Sequence, residues 1–191
     1  MSAGLAVSRS GAFCHPGAVS RPRILLTAPP RTGKTTVVRR LAGLLRAAQV
    51  PICGFLSDEV RERGQRAGFT VEDFAGHKAV MAHLSWVTGP RVGRYGVNVP
   101  AFERIALPAM QQALTARGAV VLIDEIGPME LLSPAFVPRC VALFEAGVPI
   151  VATVHQRTHA SLKAQIDADL ITVTPRNRDE LPESLARLFV P

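Results

Sequence analysis

The chain is short of three things that would each point elsewhere. It has little cysteine: Cys14, Cys53 and Cys140 make an odd set without metal-ligand spacing. That argues against a disulfide framework and for a reducing compartment such as the cytoplasm. It has no long apolar run; Ala119 to Ile123 is the longest worth noting, far below the roughly 20 residues that span a bilayer, so no membrane role is expected. And it has no acid at its start. The first 57 residues hold eight Arg or Lys and no Asp or Glu, whereas the remaining 134 hold fourteen basic and fifteen acidic residues. The net charge of +7 is therefore an N-terminal property. It reads most simply as a solvated basic tail plus a phosphate loop, with an anionic contact of the whole segment, to phosphates, nucleic acid or an acidic partner, the weaker alternative. Apolar residues make up 48% of 191, enough for one packed domain and too many for global disorder.

Residues 1–21 carry Arg9 and Arg21 among Ser, Gly and Ala, with no sustained period. They read as a flexible basic tail; a transit peptide fits less well, because the arginines mark no amphipathic face. From Arg23 the pattern sharpens. Ile24 to Ala28 reads as a buried strand, a Pro- and Gly-bearing loop follows, and Val37, Val38, Leu41, Leu44, Leu45 and Ala48 recur at helical spacing. Four short strands are expected over 52–56, 69–74, 79–86 and 95–99, punctuated by glycines. A helix from about Phe102, with Pro108 as a kink point, is expected to stop by Gly118. Then come a strand over 119–123, a helix started by Ser133-Pro134, a strand over 148–154, a short helix near 160–167 and a strand over 170–173. Asn177 with Glu180 reads as a capping box for a last helix. Strands alternating with helices predict an α/β fold, mainly a parallel sheet with helices on both faces, and a β-rich insertion after the first helix.

Two motifs carry the chemistry. Ala28-Pro29-Pro30-Arg31-Thr32-Gly33-Lys34-Thr35, followed by Thr36, lies between a strand and a helix and fits the phosphate-binding P-loop pattern. Loop N–H groups and the helix N-terminus would surround a phosphate, Gly33 would allow close approach, Lys34 would reach the β- and γ-phosphates, and the Thr35 hydroxyl would ligate Mg²⁺. The second motif is the apolar run ending in Asp124-Glu125. Asp124 at a strand end suits a Walker B carboxylate that helps hold Mg²⁺, and Glu125 suits a base that orients water.

These motifs lie within five stretches, APPRTGKTT, GFLSDEVRERGQRAGF, VGRYGVNVPAFERIALPAM, VLIDEIGPMELLSPAF and TVTPRNRDELP. Through them the chain resembles the small P-loop nucleoside-triphosphatase family that has thermophilic archaeal, bacterial and human cancer-related members. The resemblance implies a three-layer P-loop fold over residues 22–191, with a strand inserted between the Walker A and Walker B strands. It implies Mg²⁺-dependent hydrolysis of nucleoside triphosphates, ATP and GTP among them, to diphosphates, with Lys34 and Glu125 catalytic. This copy departs from the glycine-rich loop at Ala28 and Arg31. A positive φ at Arg31 would be strained there.

Other residues are weaker candidates. Arg61, Arg63 or Arg66 could serve as an arginine finger, against the plainer reading of a charged hairpin. In this branch of P-loop proteins Thr153 or His155 would sense the γ-phosphate. Arg176, Asn177 and Arg178 could touch base or ribose. His77, His83 and His159 lack zinc spacing and are assigned nothing. Two alternatives stand beside the hydrolase: a nucleotide or nucleoside kinase, with the arginine-rich segment as its lid, and a nucleotide-dependent switch, favoured only by the basic start, Arg39 and Arg40.

Overall fold

In a computed structural model, which describes residues 21–156, 158 and 165–190, strand β1 (Arg23–Thr27) is buried on both faces. That explains its unbroken apolar run: helices cover both sides. The strand leads through the Pro29–Gly33 loop into helix α1 (Lys34–Ala47), whose Val37, Val38, Leu41, Ala42 and Leu45 face the sheet. Then follow β2 (Ile52–Glu62), β3 (Gln65–Asp73), β4 (Lys78–His83), β5 (Arg91–Val92), β6 (Tyr95–Val97), α2 (Val99–Thr115) and β7 (Val120–Ile126). After a 3-10 turn (Glu130–Leu132) come α3 (Phe136–Glu145), β8 (Ile150–Val154), β9 (Asp169–Thr172) and a last helix, α4 (Leu181–Ala186).

These strands form one nine-stranded sheet in the order β5-β6-β4-β3-β2-β7-β8-β1-β9. From β2 to β9 every pairing is parallel, while β3, β4, β6 and β5 continue the sheet as an antiparallel wing. The expected β-rich insertion is that wing. Strand β8 separates β1 from β7, as the resemblance implies. Alternate residues feed two cores: Ile24, Leu26, Val120 and Leu122 pack with α1 and α4, and Leu25, Val121 and Ile123 pack with α2 and α3. Phe55, Phe102 and Phe136 anchor the second core with ring centroids 5.2–6.0 Å apart. Between β2 and β7 the backbones pass so closely that a Cβ on Gly54 (φ +103°) would lie 2.0 Å from the Leu122 carbonyl oxygen.

Several expected boundaries shift. The strand expected at 52–56 runs on to Glu62, because it turns directly into β3 through Arg63 and Gly64, at φ 49° and 78°. Positive φ at both turn positions matches the right-handed twist of a hairpin. The strand over 95–99 stops at Val97, since the Asn98 side chain accepts the Ala101 N–H at 3.0 Å and starts α2. That helix runs through Pro108 and ends before Gly118. Ser133 caps no helix: its hydroxyl donates to Glu103 at 2.6 Å, and α3 begins at Phe136. Asn177 forms no capping box either, because both ends of its amide hold the preceding loop. The basic tail through residue 20 and most of the short helix expected near 160–167 lie outside the described residues. Among the described residues no helix is long and apolar enough to cross a membrane.

Candidate nucleotide site

The carboxyl ends of β1, β7 and β8 meet at the loop before α1. Its first half is a turn in which Thr32 donates backbone N–H and hydroxyl to the Pro29 carbonyl, at 3.4 and 2.9 Å. Pro30 stands at the second turn position and Arg31 at the third, with φ 65°. Proline presets the second position of such a turn, and the third favours glycine when its φ is positive. The strain expected of Arg31 is therefore present. Gly33, at φ 112°, then ends the loop as the N-cap of α1. Lys34, Thr35 and Thr36 occupy the first helical turn, whose N–H groups have no intrahelical acceptors and whose dipole end is positive. That turn carries no acid, which keeps the end open to an anion.

Lys34 links the two motifs. Its Nζ donates to the Ala28 carbonyl at 3.2 Å and lies 3.7 Å from Glu125 Oε1, with its side chain 10% exposed. Ala28 is itself fully packed. Asp124 is buried at the end of β7. Thr153, from neighbouring β8, donates its hydroxyl to Asp124 Oδ1 at 2.7 Å, while Oδ2 is buried without a hydrogen-bond partner. Burial pushes the Asp124 carboxyl up to about 6, against the downward pull of the Thr153 and Thr35 hydroxyls; the neighbouring Glu125 charge adds to the rise. Glu125 Oε1 likewise has no hydrogen-bond partner. The peptide joining Asp124 and Glu125 is cis.

This donor set fits a magnesium ion. A hard divalent cation takes one or two carboxylates and a hydroxyl, with phosphate oxygens and water completing its shell. Asp124 offers an orphaned buried oxygen beside the Thr35 hydroxyl. No cluster of three or more His, Cys, Asp or Glu suited to a metal occurs among the described residues; an ion shared with phosphates needs none.

The sequence motifs missed one group at this site. Glu130, in the 3-10 turn after β7, is 6% exposed and accepts the Gly127 N–H at 3.1 Å. Burial pushes its carboxyl up to about 8, helped by the charges of Glu125 and Asp124. Its signal was an acid alone in the segment Ile126 to Leu132, three residues beyond a glycine.

Other candidates scatter. Arg61 and Arg66 both bind Glu59, Arg61 at 2.6 Å, and Arg63 sits at the hairpin turn. Strand β2 is level with Asp124 at Leu56, so these arginines stand well beyond the carboxyl edge of the sheet. Thr153 touches Asp124, and His155 N–H donates to the Ile126 carbonyl where β8 ends. His77 pairs with Asp73 and His83 with Glu62 and Ser85; His159 lies outside the described residues. Of the loop after β9, Arg178 does reach the P-loop, donating to the Thr32 carbonyl at 3.4 Å. A cavity of about 420 Å³ lined by Trp86, Val97, Asn98 and Pro100 belongs to the antiparallel wing.

A family model described as NTPase matches residues 23–186. The nucleoside-triphosphatase THEP1 of Thermofilum pendens is 42% identical over 169 residues, covering 85% of this chain and 92% of that protein. The cancer-related nucleoside-triphosphatase of Homo sapiens is 34% identical, covering 83% and 91%. Among solved structures, the crystal structure of THEP1 from the hyperthermophile Aquifex aeolicus aligns with a TM-score of 0.76 at 33% identity, over 88% of this chain and 99% of that one. With a family model matched over residues 23–186 and relatives this similar over most of their length, the chain belongs to the NTPase family.

Proposed function

We propose that this enzyme hydrolyses nucleoside triphosphates to diphosphate and phosphate with magnesium, at the loop between β1 and α1. The observation that carries the reading is the convergence of Lys34, Asp124 and Glu125. A cation lies between a phosphate loop and two carboxylates, each with a buried oxygen that has no hydrogen-bond partner. The triphosphatase names of the relatives support the same reaction class.

Each residue then has a stated task. The backbone N–H groups of Arg31 and of Gly33 to Thr36, at the α1 N-terminus, bind phosphate oxygens; Pro29 and Pro30 have none to give. Lys34 Nζ leaves its contacts with Ala28 and Glu125 for the β–γ bridge, where charge builds in the transition state. Thr35 and Asp124 would hold the metal, and Thr153 fixes the Asp124 carboxylate by its hydrogen bond. Bound magnesium would supply charge neutralisation across the β- and γ-phosphates. Glu125, released from Lys34, orients the attacking water and takes its proton. Most of the rate enhancement is then positioning and electrostatics. Residues 22–191 form the catalytic unit and 1–21 an appended basic tail. Cys53 and Cys140 as buried free thiols support a reducing, cytoplasmic setting.

The test is phosphate release from ATP, GTP, CTP and UTP with Mg²⁺, all products resolved. Wild type is expected to yield diphosphate and phosphate. Lys34→Ala should lose both binding and turnover. Glu125→Gln should keep ATP bound while turnover falls about 10²- to 10⁴-fold. A new phosphorylated product would make the chain a kinase, and wild-type turnover in Glu125→Gln would remove that residue from the reaction.

A further inference from the structure

We propose that Arg178 is the shelf on which the nucleobase stacks, so that the site holds the base by its face and not by its edge. The inference rests on the nucleoside-triphosphate reading and assigns the other end of the substrate.

The direction of the substrate follows from strand order. Asp124 and Glu125 on β7 and Thr153 on β8 all lie to one side of β1, with β9 on the other. Lys34 leans toward the first side, 3.7 Å from Glu125. A triphosphate in the loop thus directs its reacting end toward β8 and β7, and the nucleoside leaves over β9. The segment after β9 stands there. It joins the loop's entry through the Val173 N–H, which donates to the Thr27 carbonyl at 2.8 Å. It ends on Arg178, whose guanidinium donates to the Thr32 carbonyl at 3.4 Å. The Arg178 Cδ lies 3.5 Å from where a Gly33 Cβ would be.

That segment is braced. Asn177 Oδ1 accepts the Thr174 N–H at 2.8 Å, and Asn177 Nδ2 donates to the Thr172 carbonyl at 3.0 Å. The Arg178 N–H closes the turn onto the Thr174 carbonyl at 3.0 Å. Asp179 lies 3.9 Å from Arg40 on α1, and Arg40 also binds Glu183 on α4 at 2.9 Å. The arch is therefore fixed to the helix that begins the phosphate site. With both ends of its amide engaged, Asn177 is held in place as a brace of the segment, with only one amide hydrogen and one lone pair to spare. The half-exposed guanidinium of Arg178 remains. It is flat and weakly hydrated, and it stacks on aromatic faces; every base offers such a face. A shelf of this kind binds all four bases with similar strength.

The test is calorimetric titration of Mg-ATP and of magnesium with inorganic tripolyphosphate, which has no base, onto wild type, Arg178→Ala, Arg178→Lys and Arg178→Phe. Arg178→Ala should weaken ATP about tenfold while leaving tripolyphosphate within about twofold. Arg178→Phe, flat but uncharged, should restore most of the ATP affinity, and Arg178→Lys less of it. Tripolyphosphate binding also shows that each variant keeps a folded phosphate loop. Equal losses for ATP and tripolyphosphate would make Arg178 a phosphate or loop residue and overturn the shelf, as would Arg178→Phe binding ATP no better than Arg178→Ala. A wild type that shows the expected pattern yet releases no phosphate would defeat the hydrolase reading alone.

Discussion

Replacing Glu130 by glutamine should make the protein's stability less sensitive to alkali. Glu130 is buried beside two other carboxylates, with the Gly127 N–H as a hydrogen-bond donor. Burial pushes its carboxyl from 4.5 up to about 8; the Glu125 and Asp124 charges add to the rise, and its own amide and that of Gly127 oppose it only in part. The folded protein therefore keeps a proton that the unfolded chain gives up above about 4.5. Between those values the native state binds more protons, so stability falls as pH rises, about tenfold in the folding constant per pH unit. Across the window from 4.5 to about 8 this is three to four powers of ten, about 5 kcal/mol. Glutamine has no proton to lose, and its carbonyl can still accept from Gly127. Urea unfolding of the metal-free protein from about pH 5 to 9 is the assay. The two proteins should be nearly equally stable at the acid end. Glu130→Gln should pull ahead steadily and keep its lead above pH 8, with unchanged m-values. Parallel stability curves for the two proteins would refute the reasoning. So would a wild type that gains on the variant as pH rises, since Glu130 would then be a stabilised anion.

Asp124→Asn should behave similarly over a lower window: burial raises its carboxyl from 3.8 to about 6. The metal-free variant should gain up to about 3 kcal/mol over wild type at pH 8, lose that advantage below about pH 4, and lose Mg²⁺-dependent turnover. Urea unfolding beside phosphate release would separate the two effects. Gly54→Ala would place a methyl 2.0 Å from the Leu122 carbonyl oxygen at a backbone φ of +103°. Loss of about 3 kcal/mol or more is expected, about a 10 °C fall in melting temperature by calorimetry. At Arg31, φ 65° costs an ordinary residue about 1–2 kcal/mol, and glycine returns much of any gain as chain entropy. Arg31→Gly should thus stay within about 1 kcal/mol of wild type, whereas the β-branched Arg31→Val should be clearly less stable; equal melting temperatures for the two would show that the loop does not require that φ.

Sequence legibility tracked the distance over which each feature is determined. The P-loop and the strand ending in Asp124-Glu125 are runs of adjacent residues, and the alternation of Ile24 and Leu26 with Leu25 already contains both cores. What failed was local chemistry with a competitor that the local pattern does not show. Ser133 before Pro134 has the composition of an N-cap, but Glu103, 30 residues away, takes its hydroxyl. Asn177 has the spacing of a capping box, but the unsatisfied groups of Thr172 and Thr174 claim its amide first. The same rule explains the site. Thr153 finds Asp124 across 29 residues, and Arg178 finds Thr32 across 146. No local spacing encodes either contact; both exist because β8 lies beside β7 and β9 beside β1. Strand order thus does for this protein what motif spacing cannot. It sets the paired carboxylates and Arg178 on opposite flanks of one loop, and the direction proposed for a triphosphate rests on that order alone.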